Sequence, residues 1–181
     1  MVMKMINYMK SITCIILMLI STNIYSQNRL FSLWETDVQV GDSCYVYPLW
    51  AMCRSIDCPE TISLCDSIRE FMYNNPTVII EIQSHTDCRP TPLGDTLSIK
   101  MSDRLKTLVL MNSNLDSTRI IAIGFGGKSP RIVTSEIHSQ HDFLPVGKCL
   151  TEAFIRSIEN FRQREVAHSF NRRTIIKIVG K

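Results

Sequence analysis

TVIIEIQSHTDCRP, Thr77–Pro90, decides how the rest of the chain is read. Its first half is β-branched, with Val78, Ile80 and Ile82 alternating against Glu81 and Gln83, the two-residue period of a strand with one buried face. It then breaks into Ser84, His85, Thr86 and Asp87, a run with no apolar residue. A buried strand that ends in polar residues fixes where those side chains point, so the acid at Asp87 is the first candidate for a binding role.

Outward from that strand, the flanks read as helices. Pro59 opens one, since a proline is tolerated in a first turn where its missing N–H is not needed. Leu64, Ile68, Phe71 and Met72 then fall on one face, and Asn74-Asn75-Pro76 stops it. On the other side a polar loop, His85 to Asp95, leads to a helix from Leu97 to about Met111, with Met101, Leu105, Leu108 and Val109 inward. Thr118–Ile123 reads as a strand followed by a loop of Gly124, Gly126, Gly127 and Pro130. Arg131–Gly147 has no period, Leu150 to about Val166 carries a helical stripe, and Thr174–Val179 is a last strand. Upstream, Ser43–Met52 reads as a first strand, at an edge or broken because of Pro48. Strands alternating with helices give an α/β architecture, one sheet covered by helices, with right-handed crossovers between parallel neighbours.

The 181 residues suit one domain of ordinary size. Lys4 and Lys10 precede the apolar run Ile12–Ile20 and the polar STNIYS, the pattern of a secretory signal peptide, so residues 1–26 are expected to be removed on export. Residues 27–42 read as an exposed lead-in, and residues 43–181 as the folded domain, with a segment at about 131–169 set between its last two strands. The net charge of +3 is mild and dispersed, which gives no footprint for nucleic acid or a membrane surface. Of seven cysteines, Cys14 lies in the leader. The others (Cys44, Cys53, Cys58, Cys65, Cys88 and Cys149) make disulfides plausible in an exported chain, among about fifteen full pairings. The sequence has no C-x-x-C, which argues against a zinc knuckle or a thioredoxin-type site. His85, Asp87 and Cys88 carry metal-ligating groups, but ligand identity alone is weak, and no metal or cofactor is expected. A Cys88–His85 nucleophilic pair has no third group to orient it, so no enzyme is expected either.

Taken together, Asn75-Pro76, IEIQSHTD ending at Asp87, Thr118-Arg119-Ile120, Gly124-Phe125-Gly126-Gly127, Pro130 and Asn171-Arg172-Arg173 resemble the C-terminal domain shared by outer-membrane protein A, the peptidoglycan-associated lipoprotein and the flagellar stator protein MotB. The resemblance covers roughly Ser43–Val179, nearly the whole chain after the expected leader, with Trp50 at the place of the family's strand aromatic. The resemblance implies a two-layer α/β sandwich with one mixed sheet. It also implies non-catalytic binding to the diaminopimelate-type peptide stem of peptidoglycan, in the periplasm, tethering the outer membrane or an envelope complex to the wall. Such a ligand ends in an ammonium and a carboxylate on one carbon. An aspartate accepts from the first and a guanidinium grips the second.

By that resemblance the site comprises Asp87 with Thr86, a cation on the following helix, Arg172, and Trp50 as pocket wall. The family's helix arginine falls on Met101 here, so Lys100, Arg104 and, in the loop, Arg89 are the candidate replacements. Ala51 stands where the family commonly has an aspartate, and Gly94 or Asp95 where it has an asparagine. These departures motivate an alternative in which the fold has lost its wall ligand and works through another cell-envelope protein.

Overall fold

The structure, a computed structural model, describes residues 32–46, 59–91 and 93–181. The expected leader at 1–26, Trp50, Ala51, Cys53 and Cys58 lie outside the described residues. In chain order the elements are β1 (Ser43–Val46), α1 (Pro59–Asn74), β2 (Ile79–His85), α2 (Gly94–Leu110), a 3-10 turn (Ser117–Arg119), β3 (Ile120–Gly126), α3 (Ser135–Gln140), α4 (Glu152–Ser157), α5 (Phe161–Asn171) and β4 (Arg173–Gly180). The four strands form one mixed sheet in the order β1-β4-β2-β3. β2 and β3 are parallel, joined through α2, while β4 runs antiparallel to both β1 and β2. The expected mixed α/β sheet with helices is therefore present, and β2–β3 is its parallel neighbour pair.

Alternation along the strands decides which face is buried. Ile80 and Ile82 of β2 stand opposite Ile178 and Ile176 of β4. These four join Ile120, Ile68, Phe71 and Met72 of α1, and Leu105, Leu108 and Val109 of α2, in the main core. Burying a side chain of this size contributes about 1.5–3 kcal/mol, so the face on α1 and α2 dominates the stability of the sheet. The opposite face carries half-buried Glu81 and Gln83 and the exposed Tyr45 and Ile121.

α2 lies unusually close to β3, because both sides of the contact are small. A Cβ at Gly124 would come within 2.3 Å of the Ile99 backbone nitrogen. Ser98 and Ser102 are buried on the helix side, and the Gly126 N–H donates to Ser98 Oγ at 2.9 Å. Two arginines satisfy the carbonyls that helix ends leave open. Arg69 donates to Leu108 and Val109 at the end of α2. Arg119 donates to Met72, Asn75 and Val78 around the end of α1.

Between β3 and β4 the chain forms a subassembly with its own apolar cluster: Val133, Ile137, Leu144, Leu150, Ile155 and Ala167. An isolated antiparallel bridge, Ile132 to Cys149, closes its base. The single helix expected over Leu150–Val166 is two helices. Asn160 breaks it, because its side chain accepts from the Arg162 and Gln163 N–H groups and so starts α5 afresh. Thr134 and Thr151 cap α3 and α4 in the same way. The aperiodic Arg131–Gly147 stretch holds α3, too short at six residues to show a helical period.

Candidate functional site

β2 and β4 meet at their site end as the sequence order requires: His85 pairs with Arg173, and the chain leaves β2 into Thr86 and Asp87. The exit path is set by backbone approach. The Thr86 N–H donates to the Gly126 carbonyl at 3.0 Å. A Cβ at Gly127 would stand 2.5 Å from the Asp87 carbonyl oxygen, so glycine there lets the end of β3 support the acid's own backbone.

Asp87 is held between two guanidiniums. Arg172 donates to its Oδ2 at 2.8 Å. Arg89 donates to Oδ2 at 2.7 Å and to Oδ1 through Nε at 3.2 Å, and its backbone N–H reaches Oδ1 as well. Arg89 also donates to Glu165 on α5 at 3.0 Å. Burial alone would raise the Asp87 pKa, but the hydrogen bonds from Arg89 and Arg172 outweigh it and bring it down to about 2. The carboxylate is 13% exposed, Arg172 21% and Arg89 41%, so the trio lies at the surface rather than inside the core.

The remaining expected site residues are distributed as follows. Thr86 Oγ1 is buried without a hydrogen-bond partner. Lys100 and Arg104 are exposed on α2 and make no hydrogen bond or ion pair among the described residues, so Asp87 has Arg89 and Arg172 as its cations. Asp95 pairs with Lys128 at 2.6 Å. Of the Asn171-Arg172-Arg173 run, Arg172 faces the acid and the other two are structural. Asn171 accepts from the Arg131 N–H and donates to the Leu150 carbonyl and to Cys88 Sγ. Arg173 is buried and donates to Ser129 and Asn171 carbonyls, and burial pulls its pKa down to about 10.

His85 stacks on Phe125 at 5.0 Å between ring centres and has no partner on either ring nitrogen. Burial, followed by the Arg173 charge, lowers its pKa to about 3, so the ring is neutral. Beneath the loop, Cys88 Sγ lies 3.6 Å from Glu152 Oε2. Burial first, then Glu152, push the thiol up to about 11, which leaves it protonated and a poor nucleophile. Cys44, Cys65, Cys88 and Cys149 are all free thiols.

Glu152, Glu165 and His168 escaped sequence reading because they come from α4 and α5, where no spacing ties them to the strand loop. A histidine in the last turn of α5, beside the apolar Ala167, was the available signal for His168.

No family model matches the chain, and no curated protein matches it in sequence. Among solved structures, it resembles a MotB like protein from Desulfovibrio vulgaris at a TM-score of 0.50 and 13% identity, covering 77% of this chain and 73% of that one. The OmpA-like domain of FopA1 from Francisella tularensis subsp. tularensis SCHU S4 aligns at 0.36 and 12% identity, over 86% of this chain and 92% of that one, too loosely to bear on the fold. No helix among the described residues is long and apolar enough to cross a membrane. With its mixed β1-β4-β2-β3 sheet, two covering helices and likeness to the MotB like structure, the chain has the fold of an OmpA-like C-terminal domain.

Proposed function

We propose that the protein is a non-catalytic module of the cell envelope that binds the diaminopimelate-type peptide stem of peptidoglycan, tethering an envelope complex to the wall. The observation that carries this reading is the Asp87 carboxylate held at the surface between Arg89 and Arg172. An acid between two guanidiniums, one of them 41% exposed, suits a zwitterion. The ligand's ammonium takes the place of the exposed Arg89 on Asp87, and its carboxylate receives a guanidinium as a two-pronged pair. Lys100 and Arg104, free of ion pairs on α2, supply further positive charge for an anionic stem. Charge-assisted bonds of this kind contribute about 1.5–3 kcal/mol each.

The test is retention of the purified chain on sacculi containing diaminopimelate, with free diaminopimelate as competitor. Asp87→Asn keeps the shape and removes the charge, and is expected to weaken retention about tenfold or more. Equal retention of wild type and variant, or no effect of the competitor, would overturn the reading.

A second reading has its own observation. Asp87 is already satisfied internally, while Ile132, Val146 and Phe161 of the β3–β4 segment are exposed apolar side chains. The alternative is a scaffold that has lost the wall ligand and binds another envelope protein through that segment. Failure to bind any sacculus preparation, together with a co-purifying partner lost on substituting Phe161 and Ile132 by serine, selects it.

A further inference from the structure

Three donor atoms of different chemistry converge below the Asp87 loop. Cys88 Sγ, Glu152 Oε2 and His168 Nε2 all lie within 4.8 Å of one another. Sγ to Oε2 is 3.6 Å, and Oε2 to Nε2 is 3.9 Å. A tetrahedral zinc ion with sulfur at about 2.3 Å and nitrogen or oxygen at about 2.0–2.1 Å sets such donors about 3.3–3.6 Å apart. One edge of the triangle already has that length, and the others close with side-chain rotations. A second observation comes from the imidazole. His168 is 5% exposed, its Nδ1 has no partner, and its Nε2 stands 3.9 Å from Glu152 Oε2, beyond hydrogen-bond reach. A buried ring nitrogen without a partner forfeits its hydration without compensation, which native structures seldom tolerate, and either ring nitrogen of a histidine can take a metal.

We propose that Cys88, Glu152 and His168 form a zinc-type transition-metal site, with the fourth position open to water. The mixed sulfur, nitrogen and oxygen set excludes calcium and magnesium, which take oxygen ligands, and suits zinc. One thiolate and one carboxylate balance the ion's two charges, so the occupied site is neutral and suited to its burial. On binding, the Cys88 S–H proton passes to solvent and the sulfur lone pair goes to the metal. Asn171 Nδ2, 3.4 Å from Cys88 Sγ, supplies the outer hydrogen bond that orients the sulfur. Cys88 belongs to the strand loop, Glu152 opens α4 and His168 lies on α5, so the ion clips the β3–β4 segment to the loop that bears Asp87. The site stands on donor geometry and the unpartnered imidazole nitrogen, and is independent of the wall-binding reading.

The experiment uses the reduced, metal-stripped chain, first titrated with Zn2+ and then with Co2+ as an optical probe. Cobalt is expected to give a thiolate charge-transfer band and the visible bands of a tetrahedral ion. Cys88→Ser and His168→Gln should each abolish the band or weaken binding by more than about a hundredfold, beyond the cost of losing an outer partner. Cys149→Ser, a thiol outside the triangle, should leave it unchanged. In the unaltered chain, Zn2+ should protect Cys88 from alkylation, read by peptide mapping, so misfolding of a variant cannot imitate the result. Equal alkylation of Cys88 with and without Zn2+, or a full charge-transfer band in Cys88→Ser, overturns the proposal.

Discussion

The main core and the β3–β4 segment are built by opposite means. In the core, α1 and α2 run 16 and 17 residues and bury periodic apolar faces on a sheet whose alternation matches them. In the segment, α3 and α4 have six residues each, below the length at which a helix persists without help. Side-chain caps at Thr134, Thr151 and Asn160 start α3, α4 and α5, and one buried amide, Asn171, ties Arg131 and Leu150 of the segment to Cys88 in the loop that bears Asp87. The core is held by area on long periodic faces, and the segment by a smaller apolar cluster to which particular polar contacts are added. The candidate site lies where the two meet, with Asp87 and Arg89 from the sheet end and Arg172 and Glu165 from the end of the segment.

The sharpest way to break the core is at its closest approach. Gly124→Ala places a methyl 2.3 Å from the Ile99 backbone nitrogen, and a main-chain atom inside a helix cannot swing aside. The helix must lift from β3, at a cost of about 3 kcal/mol, the upper end for overpacking. Denaturant unfolding should show the whole loss as one transition, because α2 and β3 belong to the central unit. A variant of unchanged midpoint would mean that the contact has slack.

Asn171→Ala tests the other half of the comparison. It leaves the half-buried Arg131 N–H without its partner and the Leu150 carbonyl with only the weak Cys88 S–H contact at 3.5 Å, at a cost of about 1–3 kcal/mol. The loss should be local: amide exchange should rise across residues 131–169 while β2 and α1 stay protected. Equal loosening of β2 would show that the segment and the sheet unfold as one unit, and the distinction drawn above would fail.

This division also accounts for what the sequence reveals. Ile68, Phe71 and Met72, or Ile80 and Ile82, announce their face by spacing alone, because long elements repeat the same environment. The split at Asn160 is invisible to periodicity, since the apolar stripe of Phe154, Ile155, Ile158 and Phe161 continues across it while the backbone does not. At the site, the acid was legible because it ends a strand, and Arg172 because it stands in a recognisable run. The choice of Arg89 over Lys100 and Arg104 depended on how a two-residue step in the loop turns a side chain back onto Asp87, which spacing does not encode. Glu152 and His168 reach Cys88 through tertiary packing of α4 and α5, and no local pattern marks them.

His85 gives the finest test, because it sits on the sheet side of the junction and responds to acid. Its folded pKa of about 3 lies below the 6.5 of a free imidazole, so the unfolded chain takes up this proton first as pH falls. Stability from the neutral ring is complete above about pH 6.5 and declines as pH drops toward 3. The slope is at most about 1.4 kcal/mol per pH unit, or about 2 kcal/mol between pH 6.5 and 5. Phenylalanine at this position keeps the stacking on Phe125 and removes the titration. His85→Phe should therefore flatten the dependence of Tm on pH over that interval, and amide exchange at pH 5 should be slower in β2 and β3 than in wild type. If the slope is unchanged, the acid-sensitive group lies elsewhere, and the unpartnered nitrogens of His85 have found water. The sheet end beneath Asp87 would then be wetter than the core it terminates, and the boundary between the two regions would lie one residue earlier, at Ser84.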